Sequence, residues 1–246
     1  MKSENENIYL SHLDIERFGI QIAKSRNLTL DILDQVLDFC LIEDVSLLIT
    51  RCPVSDLDLV HELENHGFEL MDTLVSSSAK LGNLSFENFD EPTIRNYIKG
   101  DETFVEDIAR ESFSGYFGHY HADKLLNRNI CDEIYVDWAI RSCKSREVAD
   151  EVLLAELKNK VVGFVTLRIN NEENGEAVLA GVLPSSQLLG IYGKLISKGM
   201  HWCLSQGLLQ MTVSTQITNI AVQKVWVRLG FEPLTAFYTF HKWFSN

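Results

Sequence analysis

Residues 180–196, AGVLPSSQLLGIYGKLI, decide how the rest of the chain is organised. Residues 180–183 are the end of an apolar strand. Pro184 has no N–H to give to a sheet ladder, so the strand stops there. Residues 185–189 turn. Gly190 then opens a helix whose Ile191, Leu195 and Ile196 share one face. A strand, a tight turn and a helix N-terminus together make an anion site. First-turn N–H groups lack intrahelical partners, and the macrodipole is positive at that end. Gly190 and Gly193 carry no side chains, which lets a phosphate approach the backbone.

The 246 residues suffice for one large domain or two small ones. A hydrophobic fraction of 46% supports a core, and 23% charged residues argue against disorder. The net charge of −13, with no Lys/Arg cluster, argues against a nucleic-acid partner. It leaves room for a phosphate ligand, because helix amides bind anions without bulk charge. Five cysteines (40, 52, 131, 143 and 203) form no C-x-x-C pair and suggest free thiols in a reducing cytoplasm. The polar start MKSENENIYL is unlike a signal peptide. No apolar run reaches membrane length, so no membrane partner is expected.

Two units follow from the pattern: an N-terminal α/β unit over 1–85 and a larger domain over 92–246, with a linker near 81–92. In the first, residues 30–41 have helical periodicity, 45–50 form an apolar strand, 56–65 a helix stopped at His66-Gly67, and 68–76 a strand. In the second, 94–113 reads strand, turn, helix, with Asp101 as N-cap. Residues 114–121, SGYFGHYH, form an aromatic loop, and 122–143 a long helix. Strands at 151–157 and 161–169 pair across a turn, and 177–183 enters the opening stretch. A helix over 191–205, a strand over 209–215, a helix over 219–229 and a last strand over 231–243 complete it. HELENHGFELMDTLVSSS (61–78) and KVWVRLGFEPLTAFYTFH (224–241) both read helix, Gly-Phe-Glu, strand. Either the first unit is a degenerate half of the second's fold, or this common joint recurs by chance.

Val182-Leu183-Pro184 and Gln187-Leu188-Leu189-Gly190-Ile191-Tyr192 resemble the acyl-CoA signature of the GNAT acyltransferases. Tyr192 replaces the second small residue, and Gly193 follows one step late. NIAVQKVWVRLGF (219–231) resembles that family's later pattern through Asn219, Gly230 and Phe231, with Trp226 where a tyrosine often protonates the departing thiolate. The resemblance covers about 94–243 and implies a GNAT fold, an α/β (α+β) mixed sheet, behind the smaller N-terminal unit. It implies acetyl-CoA or a longer acyl-CoA as co-substrate, no metal, and a cofactor site of Val182, Leu183, Gln187, Leu188, Leu189, Gly190, Ile191, Tyr192, Gly193, Asn219 and Trp226. Ser112-Phe113, the N-terminal unit and the helix carrying Trp138 are similar to TDP-fucosamine acetyltransferases and related nucleotide-amino-sugar N-acyltransferases. The acceptor that the resemblance implies is a nucleotide-linked amino sugar, dTDP-linked, of bacterial surface polysaccharide. Phe113, Tyr116, Tyr120 and Trp138 would shape its pocket. Rival readings are transfer to a protein or small amine, and a catalytically silent acyl-CoA-binding module. A homodimer is among the assemblies left open.

The chemistry needs few groups. The strands at 177–183 and 209–215 would splay where Pro184 ends their pairing, admitting the pantetheine as a pseudo-strand. A strand N–H at Val182 or Leu183 would meet the developing oxyanion. Asn219 caps its helix and would touch the co-substrate. His119 or His121 would take the amine's proton, and Tyr192 or Tyr238 are the remaining acids. H-x-H lacks a matching acidic or cysteine partner for a metal.

Overall fold

The computed structural model describes residues 7–82 and 91–244, so most of the expected linker lies outside the described residues. In chain order its elements begin β1 (Ile8–Leu10), α1 (His12–Phe18), β2 (Ile22–Ser25), α2 (Leu33–Ile42), β3 (Leu47–Pro53), α3 (Leu57–Asn65) and β4 (Glu69–Lys80). Next come β5 (Thr93–Asn96), α4 (Glu102–Ser112), α5 (His119–Ala122), α6 (Arg128–Lys144), β6 (Glu151–Leu157) and β7 (Lys160–Ile169). The chain ends with β8 (Asn174–Val182), α7 (Ile191–Ser205), β9 (Gln210–Gln216), α8 (Ile220–Arg228) and β10 (Glu232–Trp243). Among the described residues no helix is long and apolar enough to cross a membrane.

The chain forms two compact units, and neither is a single stretch of sequence. One gathers Met1–Val75, Phe117–Ile130 and Thr235–Asn246; the other gathers Ser76–Tyr116 and Cys131–Leu234. The single boundary expected near 85–92 therefore does not coincide with these units.

In the first unit β1 is antiparallel to β2, β2 parallel to β3, and β3 antiparallel to β10. Its sheet has two chemically distinct faces, because alternate residues point opposite ways. Ala23, Leu48, Cys52 and Phe240 enter an apolar core with Val36, Leu59 and Leu63 from the helices. The other face is polar. Lys24, Ile49 and His241 lie in one row across β2, β3 and β10, with Arg51 opposite Thr239 one step along. Asp56 caps α3, accepting the Leu59 N–H at 3.2 Å, and Gly67 (φ +75°) releases the chain into β4.

The second unit is built on β5, β6, β7 and β8, all antiparallel, with β9 parallel to β8. Ser76 and Ser78 of β4 bond Ser214 and Gln210 of β9. Helix α7 buries Ile191, Leu195, Ile196, Gly199, Met200 and Cys203, a helical stripe facing β7 and β8. Leu195 and Ile196 are fully buried, each worth about 1.5–3 kcal/mol in apolar transfer. Small residues let the layers meet. A Cβ on Gly175 would lie 2.5 Å from Cys203 Sγ, and one on Gly181 would lie 2.6 Å from Ser112 Oγ and 2.8 Å from the Phe164 ring.

Three local expectations are corrected. Residues 123–127 are not helical; α6 starts at Arg128, and Leu125 is exposed. The aromatic loop ends in the short helix α5. Asp101 stands at the N-cap of α4 but makes no capping bond. Its carboxylate accepts the Ile98 N–H at 2.9 Å and is gripped by Arg95 at 2.6 and 3.0 Å, which together outweigh capping.

Candidate active site

Strands β8 and β9 pair only from Asn174–Gln210 to Ala177–Val213. The splay therefore starts at residue 178, well before Pro184, where it was expected. On its other side β8 stays paired to β7 as far as Val182–Gly163. The direction of each amide follows from the ladder. Leu183 donates to Val162 O at 2.9 Å, so this opposite pair is hydrogen-bonded. The next pair, Val182–Gly163, is then the non-bonded kind, and the N–H and C=O of Val182 face away from β7 into the opening. Leu183 is thereby excluded as the oxyanion donor, because its amide is already in use. The Val182 N–H makes no backbone bond among the described residues.

Beyond β8 the chain makes a 3-10 turn at Pro184–Ser186 and reaches Gly190, the N-cap of α7, at φ +74°. Leu188 is also left-handed (φ +65°). The first bond of α7 runs from Lys194 N–H to Gly190 O at 3.1 Å, and the six N–H groups of residues 188–193 make no backbone bond among the described residues. Space for a Cβ at Gly190 is open to 4 Å. Gln187, Leu188 and Leu189 are exposed. Free amides, positive dipole end and open approach fit a pyrophosphate, and the unpaired edge of β8 fits a pantetheine amide chain. Gly193 does different work, since a Cβ there would touch only Val225 Cγ1 of α8, at 3.4 Å.

Asn219 is tied at both ends: Oδ1 accepts the Val222 N–H at 3.4 Å and Nδ2 donates to Thr215 Oγ1 at 3.1 Å. It fixes α8 to β9, with one N–H of Nδ2 and one lone pair of Oδ1 used in doing so. Trp226, 2% exposed, donates its indole N–H to Tyr192 Oη at 2.8 Å. Burial pushes the Tyr192 phenol upward, opposed in part by that bond.

Three rings form a cluster in the second unit. Phe113 stacks on Tyr135 (centroids 5.0 Å apart), and Tyr116 meets both edge-on at 5.6 and 4.8 Å. The Tyr116 hydroxyl donates to Gln216 Oε1, at the splayed end of β9. Phe113 is buried, so it supports Tyr116 rather than presenting a surface. Trp138, one turn beyond Tyr135 on α6, is half-buried. Tyr135 and Gln216 escaped the sequence reading. Tyr135 shares the buried α6 face with Cys131, a spacing of four that signals packing, and nothing local marks Gln216.

The remaining candidates belong to the first unit. Tyr238 lies opposite Cys52 with its ring against the core, so it is a packing residue and not an acid. Tyr120 is buried, its hydroxyl 3.0 Å from Lys24 Nζ and 3.2 Å from both Asp14 oxygens. His121 is buried and accepts the Gly118 N–H on Nδ1 at 3.4 Å. His119 is half-buried, with Nδ1 2.9 Å from His241 Nε2. Among the described residues no three His, Cys, Asp or Glu side chains are grouped to hold a metal.

The model of the acetyltransferase (GNAT) family matches residues 103–231, from α4 to the Gly-Phe joint before β10. The chain belongs to the GNAT family. The matched span carries the GNAT fold expected from the two motifs. A curated relative, the spore coat polysaccharide biosynthesis protein SpsD of Bacillus subtilis, is 23% identical over 144 residues. That match takes in 58% of this chain and 48% of SpsD, so the chain spans about half the length of the curated relative it matches. A GCN5-related N-acetyltransferase from Sphaerobacter thermophilus superposes over 92% of this chain and 74% of its own, with a TM-score of 0.63 at 15% identity. A conserved protein of unknown function from Staphylococcus epidermidis superposes over 98% and 92%, with a TM-score of 0.64 at 15% identity.

Proposed function

We propose that this GNAT chain moves an acetyl or longer acyl group from coenzyme A to the amine of a nucleotide-linked amino sugar. One observation carries the acyl-CoA half: the early splay of β8 from β9 leads to six amides that make no backbone bond among the described residues. Val182, Gly190 and the amides of residues 188–193 would hold the donor. The bound thioester supplies the electrophile. The amine lone pair attacks its carbonyl carbon, the C–S bond breaks, and the thiolate leaves. Val182 N–H meets the carbonyl oxygen as charge develops, a contribution of about 3–4 kcal/mol. The proton from nitrogen goes to a base or into a water chain.

The sugar half rests on the relative named for polysaccharide biosynthesis and on the Phe113–Tyr116–Tyr135 cluster, whose rings suit a base or a sugar face. Thiol release from acetyl-CoA, followed against dTDP-amino sugars, peptides and simple amines, tests the reading. Release with the amino sugars supports it. Release with peptides alone moves the acceptor to a protein, and binding without release makes the chain a silent acyl-CoA module.

A further inference from the structure

The polar face of the first unit's sheet carries a chain of acid and imidazoles that packing does not require. Asp123, 5% exposed, accepts His241 Nδ1 at 2.7 Å, Trp243 Nε1 at 2.8 Å and the Leu125 N–H at 2.9 Å. Burial alone would raise this carboxyl, yet the three donors bring it below the usual range, so it is ionised at neutral pH. His241 is 1% exposed, and its Nε2 meets His119 Nδ1 at 2.9 Å. The His119 Nε2 makes no hydrogen bond among the described residues. Thr239 lies on the same face, and its hydroxyl is buried without a protein partner.

We infer that Asp123 and His241 are positioning residues that hold His119 as a neutral imidazole with its basic lone pair on Nε2. An ionised carboxylate accepts only, so the proton between Asp123 and His241 sits on His241 Nδ1. Where His241 carries that one proton alone, its Nε2 offers a lone pair, and the proton of the next contact sits on His119 Nδ1. The groups around His119 oppose a charge on its ring. Arg51 on β3 and Lys24 on β2 are cationic, Lys24 being paired with Asp14 of α1 at 2.5 Å. Tyr120 stacks on His119 with centroids 3.9 Å apart, and His121 follows on α5. Burial first, then His241, Arg51, Lys24 and His121, hold His119 well below an ordinary imidazole. A proton taken by His119 Nε2 would put a cation on the pair, with Asp123 as counter-ion. This selects His119 over His121, whose Nδ1 already receives a backbone N–H. Its catalytic meaning rests on the acyl-transfer reading above.

Long-range nitrogen NMR of the full chain, with ¹⁵N-labelled histidine at pH 7.5, reads the tautomer directly. The expected pattern is protonated Nδ1 and bare Nε2 at His119. Protonated Nε2, or imidazolium, overturns the inference whatever the enzyme does. In Asp123→Asn and His241→Gln the bare Nε2 signal should be lost or mixed. In both variants the His119 signals should also show a displaced pH inflection. Unchanged pH profiles in folded variants overturn the relay. Wild-type chain with the expected tautomer but no transfer to any amine overturns the acyl-transfer reading instead.

Discussion

Trp226 donates its indole N–H to the phenol oxygen of Tyr192 at 2.8 Å, joining α8 to α7 at the start of the signature helix. The bond fills an acceptor position on the phenol and leaves its own O–H to donate elsewhere. An indole N–H is no usable acid. A thiolate with a pKa of about 8.5 departs tolerably without one. Trp226→Phe should therefore keep most of the turnover, because the ring packing survives. It should lower stability by about 1–3 kcal/mol if the phenol loses its partner, read by denaturant unfolding. A thousandfold loss of rate in a folded variant would assign about 4 kcal/mol to the N–H and refute catalysis by positioning.

Gly190 separates charge from shape. Its φ of +74° makes any side chain cost about 1–2 kcal/mol, yet nothing lies within 4 Å of a Cβ. Gly190→Ala should weaken acetyl-CoA binding only slightly, whereas Gly190→Glu sets a carboxylate beside the amides and should weaken it tenfold or more. Titration calorimetry distinguishes them. Equal affinities in the Glu variant and the wild type would move the pyrophosphate elsewhere.

Gly181 is a packing position without slack. Gly181→Ala puts a methyl 2.6 Å from Ser112 Oγ and 2.8 Å from the Phe164 ring, which should cost about 1–3 kcal/mol in thermal denaturation. Removing the hydroxyl with Ser112→Ala should restore part of that loss in the double variant. No recovery would mean that the Phe164 ring sets the whole cost.

Tyr116→Phe removes the donor to Gln216 while keeping the ring cluster. The KM of the amine acceptor should rise about 2–10-fold and that of acetyl-CoA should stay put. Matching increases in both would detach this cluster from acceptor binding.

Acid should unfold the chain through its held carboxylates. Burial opposes ionisation of Asp14, but Lys24, Ser11 and Arg17 lower it; Asp123 is lowered as described, and Asp101 by Arg95. A carboxyl lowered in the folded state contributes fully above its unfolded pKa, about 3.9, and that contribution is lost as pH falls through the folded value. His119, held low in the folded state, adds a loss with the same sign, so circular dichroism should find stability falling as pH drops below about 6.5 and declining further below about pH 4.

The signature helix was legible to the residue, because Gly190 and Gly207 bracket an apolar stripe that only a helix can bury on one side. Asn219 and the Gly-Phe joints were legible for the same local reason. The start of the splay was not, since it depends on the register of β8 against β9, and no residue near 178 marks it. Proline was the visible stop, but pairing had already ended. The Asp123–His241 contact spans 118 positions and has no local signature. Tyr238 misled because an aromatic residue near a motif reads alike whether it faces core or solvent; strand parity decides that, and parity needs the neighbouring strand.

Strand β10, the partner of β3 from Phe237–Pro53 to Trp243–Leu47, is made only after every element from α3 to α8. At about 5–20 residues per second, the ribosome leaves the β3 edge bare for roughly ten seconds or longer before its neighbour exists. That edge reads LLITRCP, apolar enough to recruit a foreign strand. The nascent chain thus carries a sticky interval that finished molecules lack, and a chaperone able to shield it would govern yield. Cutting the gene short before residue 237 would make that interval permanent.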